Sequence, residues 1–178
     1  MMKLLIHEND SCYIKVCYII FGMKTRTTSA KKKKVVRVLA QGSFDLIHPG
    51  HLFYLTQAKK QGDYLIVIVA RDSTIKRIKH RKPIFPEKMR LEMIRSLKMV
   101  NEAVLGGKGN ILDKVVELKP DVIVLGYDQD VSREELQTKL KARGLNCKIV
   151  RASAHQPGYY KSTKLKQKVV EFHQKIST

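Results

Sequence analysis

The sequence predicts an α/β fold in which a doubly wound parallel sheet of five strands is followed by a C-terminal helix. From Val35 onward, short apolar runs alternate with amphipathic stretches of helical length, which is the rhythm of β-α-β units. Continuous apolar runs, such as residues 65–69, suit strands that are covered on both faces. The length of 178 residues is that of one ordinary domain.

The elements follow in a regular order along the chain. The predicted strands are Val35–Ala40, Tyr64–Ala70, Glu102–Leu105, Val122–Leu125 and Cys147–Val150. The predicted helices are His51–Gln61, Glu87–Leu97, Asn110–Leu118, Arg133–Arg143 and Thr163–Gln174. The pattern is Rossmann-like, and in such sheets ligands bind beyond the carboxyl ends of the strands, near the point where the strand order reverses.

Two histidines stand between the first predicted strand and its helix, in the run Gly42-Ser43-Phe44-Asp45-Leu46-Ile47-His48-Pro49-Gly50-His51. A helix N-terminus presents unpaired N–H groups and a partial positive charge that favour a bound phosphate. His48 and His51 add two donors there, and Gly50 lets a phosphate approach the backbone closely. The alternative is a pair of capping histidines or half of a metal site, but no third ligand follows at metal spacing.

Three further segments bring charges or hydroxyls to the same edge of the predicted sheet. The basic run 76–82 follows the second strand and is either a mobile loop over the site or a solvated face. Asp128 follows the fourth strand and either accepts a hydrogen bond from a ribose hydroxyl or a base, or caps a turn. Ser162 and Thr163 begin the last helix, where a hydroxyl can cap the helix while it donates to a phosphate.

These segments resemble the motifs of the HxGH nucleotidyltransferases, and within them of the cytidylyltransferase-like branch. The branch signature G-[ST]-F-D-x-x-H-x-G-H matches completely at residues 42–51. The run Leu125-Gly126-Tyr127-Asp128-Gln129 is typical of archaeal-type FAD synthases, whereas glycerol-phosphate cytidylyltransferases usually show G-D-D-W. The run Lys161-Ser162-Thr163-Lys164 resembles the S-T-[ST]-K motif of the family. The sequence departs from the family at Asn101, where aspartate is usual, and lacks the cysteine that some archaeal FAD synthases carry before the last motif.

The resemblance implies transfer of the AMP moiety of ATP to FMN, which gives FAD and pyrophosphate by direct in-line displacement. It implies these catalytic residues: His48, His51, Lys79 and Arg81. It implies these nucleotide-binding residues: Ser43, Phe44, His48, Gly50, His51, Asp128, Arg151, Lys161, Ser162, Thr163 and Lys164. The expected metal is Mg²⁺, with Asp45 as the candidate ligand, and Arg90 is expected to order its helix rather than bind substrate. Cytidylyl transfer to a small alcohol phosphate such as glycerol 3-phosphate is the alternative, and the choice between ATP and CTP stays open.

The charge of the chain favours anionic ligands. Lys and Arg number 35 against 16 Asp and Glu, a formal net charge of +19. A basic nucleic-acid-binding module is the competing class, but the sequence has no basic strand interleaved with aromatic residues and no recognition-helix pattern. Three cysteines without a CxxC pair suit a reduced, cytoplasmic setting. A homodimer is a further expectation.

Residues 1–34 are expected to be a poorly structured extension that ends in a basic arm, with residues 35–178 as the nucleotidyltransferase domain. The apolar patch at residues 14–21 contains a lysine and is too short to span a bilayer, so no membrane anchor is expected. Met23 offers a second start, and residues 1–22 are therefore interpreted as an upstream extension that the natural chain need not contain.

Overall fold

The computed structural model describes residues 34–156 and 162–176. The strands are β1 Arg37–Gly42, β2 Tyr64–Val69, β3 Glu102–Leu105, β4 Val122–Leu125 and β5 Lys148–Arg151. The helices are α1 Pro49–Lys59, α2 Asp72–Lys79, α3 Glu87–Arg95, α4 Ile111–Leu118, α5 Arg133–Lys141 and α6 Ser162–Ile176. All neighbouring strands are parallel, in the order β3-β2-β1-β4-β5. The predicted α/β fold with a five-stranded parallel sheet and a C-terminal helix is confirmed.

Helices cover both faces of the sheet, because the side chains of a strand alternate between its two sides. On β1, Val38 and Ala40 pack with α1 and α3, whereas Leu39 packs with α4 and α5. Residues 65–69 of β2 are each at most 4% exposed, and burial of one such aliphatic side chain contributes roughly 1.5–3 kcal/mol. This two-sided core explains why an uninterrupted apolar run predicts β2, and it confirms the doubly wound arrangement.

The sheet opens between β1 and β4, where the strand order reverses. β1 pairs with β2 over its whole length, but with β4 only from Val38 to Ala40. Beyond that point, the hydroxyl of Tyr54 accepts from the Gln41 N–H at 3.1 Å and donates to the Val124 carbonyl at 2.7 Å. Because unpaired buried backbone groups are costly, this side chain lets the two strands separate without loss of hydrogen bonding. The opening lies at the carboxyl ends of the strands, where ligands bind in such sheets.

The basic run after β2 is helical in its first part, so the prediction of a loop is wrong for residues 76–79, whereas the alternative of a solvated face fits their exposure. Helix α2 packs through Ile75, which is 2% exposed, and it ends at His80 in a left-handed conformation with φ of 52°. One buried side chain in eight residues leaves little helical pattern for sequence reasoning to find. The lysines and arginine of its last turn interact favourably with the negative end of the helix dipole.

The predicted N-terminal arm and the start at Met23 lie outside the described residues, apart from Lys34. Those interpretations, and the division into an arm and a domain, stay predictions. In the part of the chain that the structure describes, no helix is both long enough and apolar enough to cross a membrane.

Candidate active site

The two histidines occupy the first turn of α1. The helix begins at Pro49 with His48 as the residue before it, two positions earlier than the sequence predicts. Proline is favoured at a first helical position because its missing N–H would have no intrahelical partner there. His51 follows one turn later, its N–H donates to the His48 carbonyl at 2.9 Å, and the two rings stack with centroids 3.8 Å apart. Both imidazoles therefore lie together at the positive end of the helix dipole.

Phe44 packs against His51 and has an unusual backbone conformation. Its φ is +47°, a left-handed value that a bulky residue rarely adopts, and its side chain is buried. The ring meets His51 edge-on with centroids 5.2 Å apart. A Cβ atom at Gly42 would lie 2.8 Å from a carbon of the Phe44 ring, so a glycine is required there for the ring to fit.

Burial keeps both imidazoles neutral at pH 7 in the ligand-free protein. It lowers the pKa of His48, an effect that the Asp128 carboxylate partly offsets. Burial, followed by the charges of His48 and Lys79, lowers the pKa of His51 to about 3. A bound polyanion would favour the protonated rings and raise both pKa values again. The buried Nδ1 atom of His48 has no hydrogen-bond partner among the described residues, which fits a site that a ligand completes.

A cavity of about 800 Å³ surrounds the histidines at the carboxyl ends of the strands. The predicted site residues that line it are Ser43, Phe44, Asp45, His48, Gly50, His51, Lys79, Arg81, Asp128, Ser162 and Thr163. Lys164 is exposed and is not among the lining residues, and Lys161 lies outside the described residues. The cavity has the volume of a typical small-molecule site.

Arg90 fixes the backbone around the cavity, as expected of a residue that orders structure. It is fully buried, and its guanidinium donates to the carbonyls of Ser43, Ala70 (2.7 Å) and Phe85 (2.9 Å). It also pairs with the Asp72 carboxylate at 2.8 Å. The loop after β1, the loop after β2 and the segment before α3 are therefore all hydrogen-bonded to one guanidinium beside the site. The prediction that Arg90 orders its surroundings is confirmed.

Two helices beside the cavity cap each other. Asp72 at the start of α2 accepts from the Glu87 N–H at 3.2 Å, and Glu87 at the start of α3 accepts from the Asp72 N–H at 3.0 Å. Arg71 completes the arrangement with a 2.8 Å ion pair to Glu87 and a bond to the Gly106 carbonyl at 2.7 Å. Acceptors at helix N-termini satisfy otherwise unpaired N–H groups. The cap of α2 therefore comes from a residue 15 positions away in the sequence.

Arg151 contacts protein carbonyls rather than the cavity. Its guanidinium donates to the carbonyls of Gly126 (3.0 Å), Gln129 (2.8 Å) and Val131 (2.6 Å), and it is not among the lining residues. Those bonds hold the loop after β4 that carries Asp128. A supporting role for Arg151 is what the geometry fits, and its predicted contact with the nucleotide stays a prediction.

Asp45 does not fit the predicted role of metal ligand. Its carboxylate accepts from the N–H groups of Ile84 (2.6 Å) and Phe85 (3.2 Å) and from Arg81 (3.1 Å) and Lys166 (2.8 Å). Burial acts to raise the pKa of Asp45, but these hydrogen bonds outweigh it and lower the pKa to about 2. Four donors use the acceptor capacity that a cation such as Mg²⁺ would need. No group of three or more His, Cys, Asp or Glu that could hold a metal occurs among the described residues.

Sequence reasoning missed several residues that line or support the cavity. Tyr54 and Gln129 bridge the opening of the sheet, and the amide of Gln129 donates to the Gln41 carbonyl at 3.1 Å. Lys166 reaches Asp45, whereas the prediction placed Lys164 at the site. For Lys166 a signal was present, since it stands four residues after Ser162 and therefore on the same face of the helix.

A doubly wound sheet with two stacked histidines and a cluster of cations beside its switch point suits the binding of a nucleotide through its phosphates. The chain belongs to the cytidylyltransferase-like family, whose model matches residues 39–168. The predicted resemblance to this branch is confirmed.

Relatives and solved structures agree with that assignment. A protein named FAD synthase from Archaeoglobus profundus is 47% identical over 139 residues, 77% of this chain and 88% of the relative. One from Thermoplasma volcanium, also named FAD synthase, is 45% identical over 137 residues, 77% of this chain and 96% of the relative. A solved structure titled as a lipopolysaccharide core biosynthesis protein from Thermoplasma volcanium superposes with a TM-score of 0.67 at 48% identity, over 69% of this chain and 100% of that one. A solved structure of a pantoate-beta-alanine ligase from Francisella tularensis shares the fold alone. It superposes with a TM-score of 0.51 at 17% identity, over 86% of this chain and 73% of that one.

Proposed function

We propose that this chain is an FMN adenylyltransferase, or FAD synthase, which joins the AMP moiety of ATP to FMN and releases pyrophosphate. The observation that carries the proposal is the 47% identity over 139 residues to archaeal proteins named FAD synthase. The Tyr127-Asp128-Gln129 segment supports the same choice. Cytidylyl transfer to glycerol 3-phosphate is not favoured, because the G-D-D-W pattern usual for it is absent from the sequence.

The reaction is a direct displacement at phosphorus. An oxygen of the FMN phosphate forms a bond to the α-phosphorus of ATP, and the bond from that phosphorus to the bridging oxygen breaks as pyrophosphate leaves. A phosphomonoester is largely ionised at pH 7, so the attacking oxygen needs no general base. Catalysis then consists of alignment of the two substrates and stabilisation of the charge that develops.

The histidine pair supplies that stabilisation at the start of α1. His48 and His51 donate to the α- and β-phosphates, and the dipole of α1 acts in the same direction. A neutral imidazole still donates through one ring N–H, and phosphates beside the rings favour their protonated forms. Their close stacking fixes the position of both donors before substrate binds.

Cations from the end of α2 and hydroxyls from the start of α6 hold the phosphate tail. Lys79 and Arg81 line the cavity at the end of α2, and Ser162 and Thr163 line it at the start of α6. Burial and the nearby Arg81 lower the pKa of Lys79, and a bound anion would stabilise its charged form. Asp128, at the end of β4, accepts a hydrogen bond from the ribose or the base.

The side of the cavity beside β2 and β3 suits the flat ring of a flavin. Ile78 and Ile111 line it although they are 58% and 38% exposed, and Gly106 and Gly107 leave room beside them. Exposed apolar side chains that face one cavity are a binding feature rather than core packing. A requirement for Mg²⁺, use of ATP rather than CTP, a homodimer and a cytoplasmic location all stay predictions.

Product analysis tests the proposal. Purified protein with MgCl₂ is given FMN with ATP, FMN with CTP, or glycerol 3-phosphate with CTP, and products are separated by chromatography with flavin absorbance. The expected result is FAD from FMN and ATP. The double variant His48→Ala, His51→Ala is the control for contaminating activity. Consumption of glycerol 3-phosphate with CTP and no flavin dinucleotide would replace the proposal with the alternative.

A further inference from the structure

Asp45 joins three segments that lie far apart in the sequence. It follows β1, and its Oδ1 atom accepts from the N–H groups of Ile84 and Phe85, in the segment before α3. Its Oδ2 atom accepts from Arg81 at 3.1 Å and from Lys166 of α6 at 2.8 Å. The Asp45 side chain is 3% exposed, whereas Arg81 and Lys166 are 36% and 27% exposed, so these bonds are partly shielded from solvent.

Two cations share one carboxylate oxygen here, which leaves an excess of positive charge at this point. Lys79 belongs to the same cluster: burial lowers its pKa, the charges of Arg81 and Lys166 lower it further, and the carboxylates of Asp128 and Asp45 oppose this. Lys79, Arg81 and Asp45 line the cavity. These three cations repel one another and outnumber the nearby carboxylates Asp45 and Asp128, so they form a site for an anion beside the cavity.

We propose that Asp45 is a positioning residue rather than a metal ligand, and that Lys166 is a further phosphate-binding residue of this site. Asp45 holds the Arg81 guanidinium and the Lys166 ammonium in place, so that both meet the phosphate tail of the nucleotide. The inference rests on the proposed function, because that function makes the ligand a nucleoside triphosphate.

The donor counts allow both cations to bind Asp45 and a phosphate together. A lysine ammonium has three donors and an arginine guanidinium has five, and Asp45 takes one from each. Unrestrained side chains of this length would lose conformational entropy when they bind a phosphate. Because Asp45 already restricts them in the free protein, less entropy is lost on binding.

Lys166 is not itself among the residues that line the cavity, but it bonds Asp45, which does, and its place in α6 sets it beside two lining residues. Ser162 and Thr163 line the cavity at the first turn of the helix, and Lys166 stands four and three residues after them. Residues at these spacings share one helix face. The hydroxyls and the ammonium can therefore reach consecutive oxygens of one phosphate chain.

A purely structural tie is the alternative. In that case the ion pair between Asp45 and Lys166 only holds α6 against the loop after β1. Its loss would lower the stability of the fold without a specific effect on nucleotide affinity. A metal-ligand role for Asp45 is the other alternative. It would show as a higher Mg²⁺ concentration for half-maximal activity when the carboxylate is replaced.

The test compares Lys166→Met with Lys141→Met, which removes the same charge from an exposed position of α5. ATP affinity is measured by calorimetry, with Mg²⁺ and with EDTA. Lys166→Met should weaken ATP binding by about 10- to 100-fold in both conditions, as expected for the loss of one charged hydrogen bond. Lys141→Met should stay within twofold of the wild type. Lys166→Arg, which keeps the positive charge, should recover most of the affinity.

Asp45→Asn tests the positioning role. In the Asp45→Asn background, Lys166→Met should weaken ATP binding by no more than about threefold, because the ammonium is no longer held in place. The Mg²⁺ concentration for half-maximal FAD formation should not change with Asp45→Asn. Three results would each overturn the inference. The first is an ATP affinity of Lys166→Met within twofold of the wild type, and the second is an undiminished loss of ATP affinity from Lys166→Met in the double variant. The third is a tenfold rise in that Mg²⁺ concentration. Failure of the wild type to form FAD would instead contradict the proposed function.

Discussion

Replacement of Arg90 by methionine should destabilise the protein strongly, although Arg90 touches no cavity surface. The substitution keeps a long apolar stem but removes a fully buried cation and its hydrogen bonds to three carbonyls and Asp72. Breaking a buried ion pair by removal of one partner costs about 3–5 kcal/mol. The Asp72 side chain is 42% exposed and can regain water, so we expect the lower half of that range.

Thermal unfolding with a spectroscopic readout measures this effect. A loss of 3–4 kcal/mol corresponds to a fall in Tm of about 6–16 °C for a protein of this size. Arg95→Met is the matched control, because it lies on the same helix, is about half exposed and pairs with Glu92 at 3.8 Å. It should change the free energy of unfolding by no more than about 1 kcal/mol. Equal Tm values for the Arg90 and Arg95 variants would refute the assignment of Arg90 as the residue that joins the three loops.

Two further results are expected. Gly42→Ala places a Cβ atom against the Phe44 ring and should lower the free energy of unfolding by about 1–3 kcal/mol. Gly109→Ala is the control and should show no such steric cost, because its Cβ atom would meet nothing within 4 Å. Equal effects of the two substitutions on thermal unfolding would count against the close packing of Phe44. Because burial lowers the folded-state pKa of His51 below its unfolded value of 6.5 to about 3, the unfolded chain binds more protons between these pH values and stability should fall as pH falls from 6.5 toward 3. Denaturant titrations across that range should show a shallower fall for His51→Ala, and an unchanged slope would contradict a neutral buried imidazole.

Local features of this protein could be predicted from the sequence, and contacts between distant segments could not. The strands follow from apolar runs that need burial on both faces, and the histidine positions follow from the local chemistry of a helix start. Helix α2 was missed because its cap comes from Glu87 and its core contact from Ile75 alone. The partners of Asp45 lie 36 to 121 residues away, so its engagement with four donors leaves no trace in the motif around it. The motif thus identified the residue, but not the donors that the fold brings to it.

The histidine pair is the central claim, and the turnover of its single variants tests it most directly. His48→Ala and His51→Ala should each reduce the rate of FAD formation by about 10²–10³, the loss typical for one donor to developing charge. ATP affinity should change far less than the rate, because both rings act mainly on the transition state. Rates are measured at saturating FMN and ATP on variants whose thermal unfolding shows an intact fold. Near-wild-type turnover in either folded variant would contradict the account.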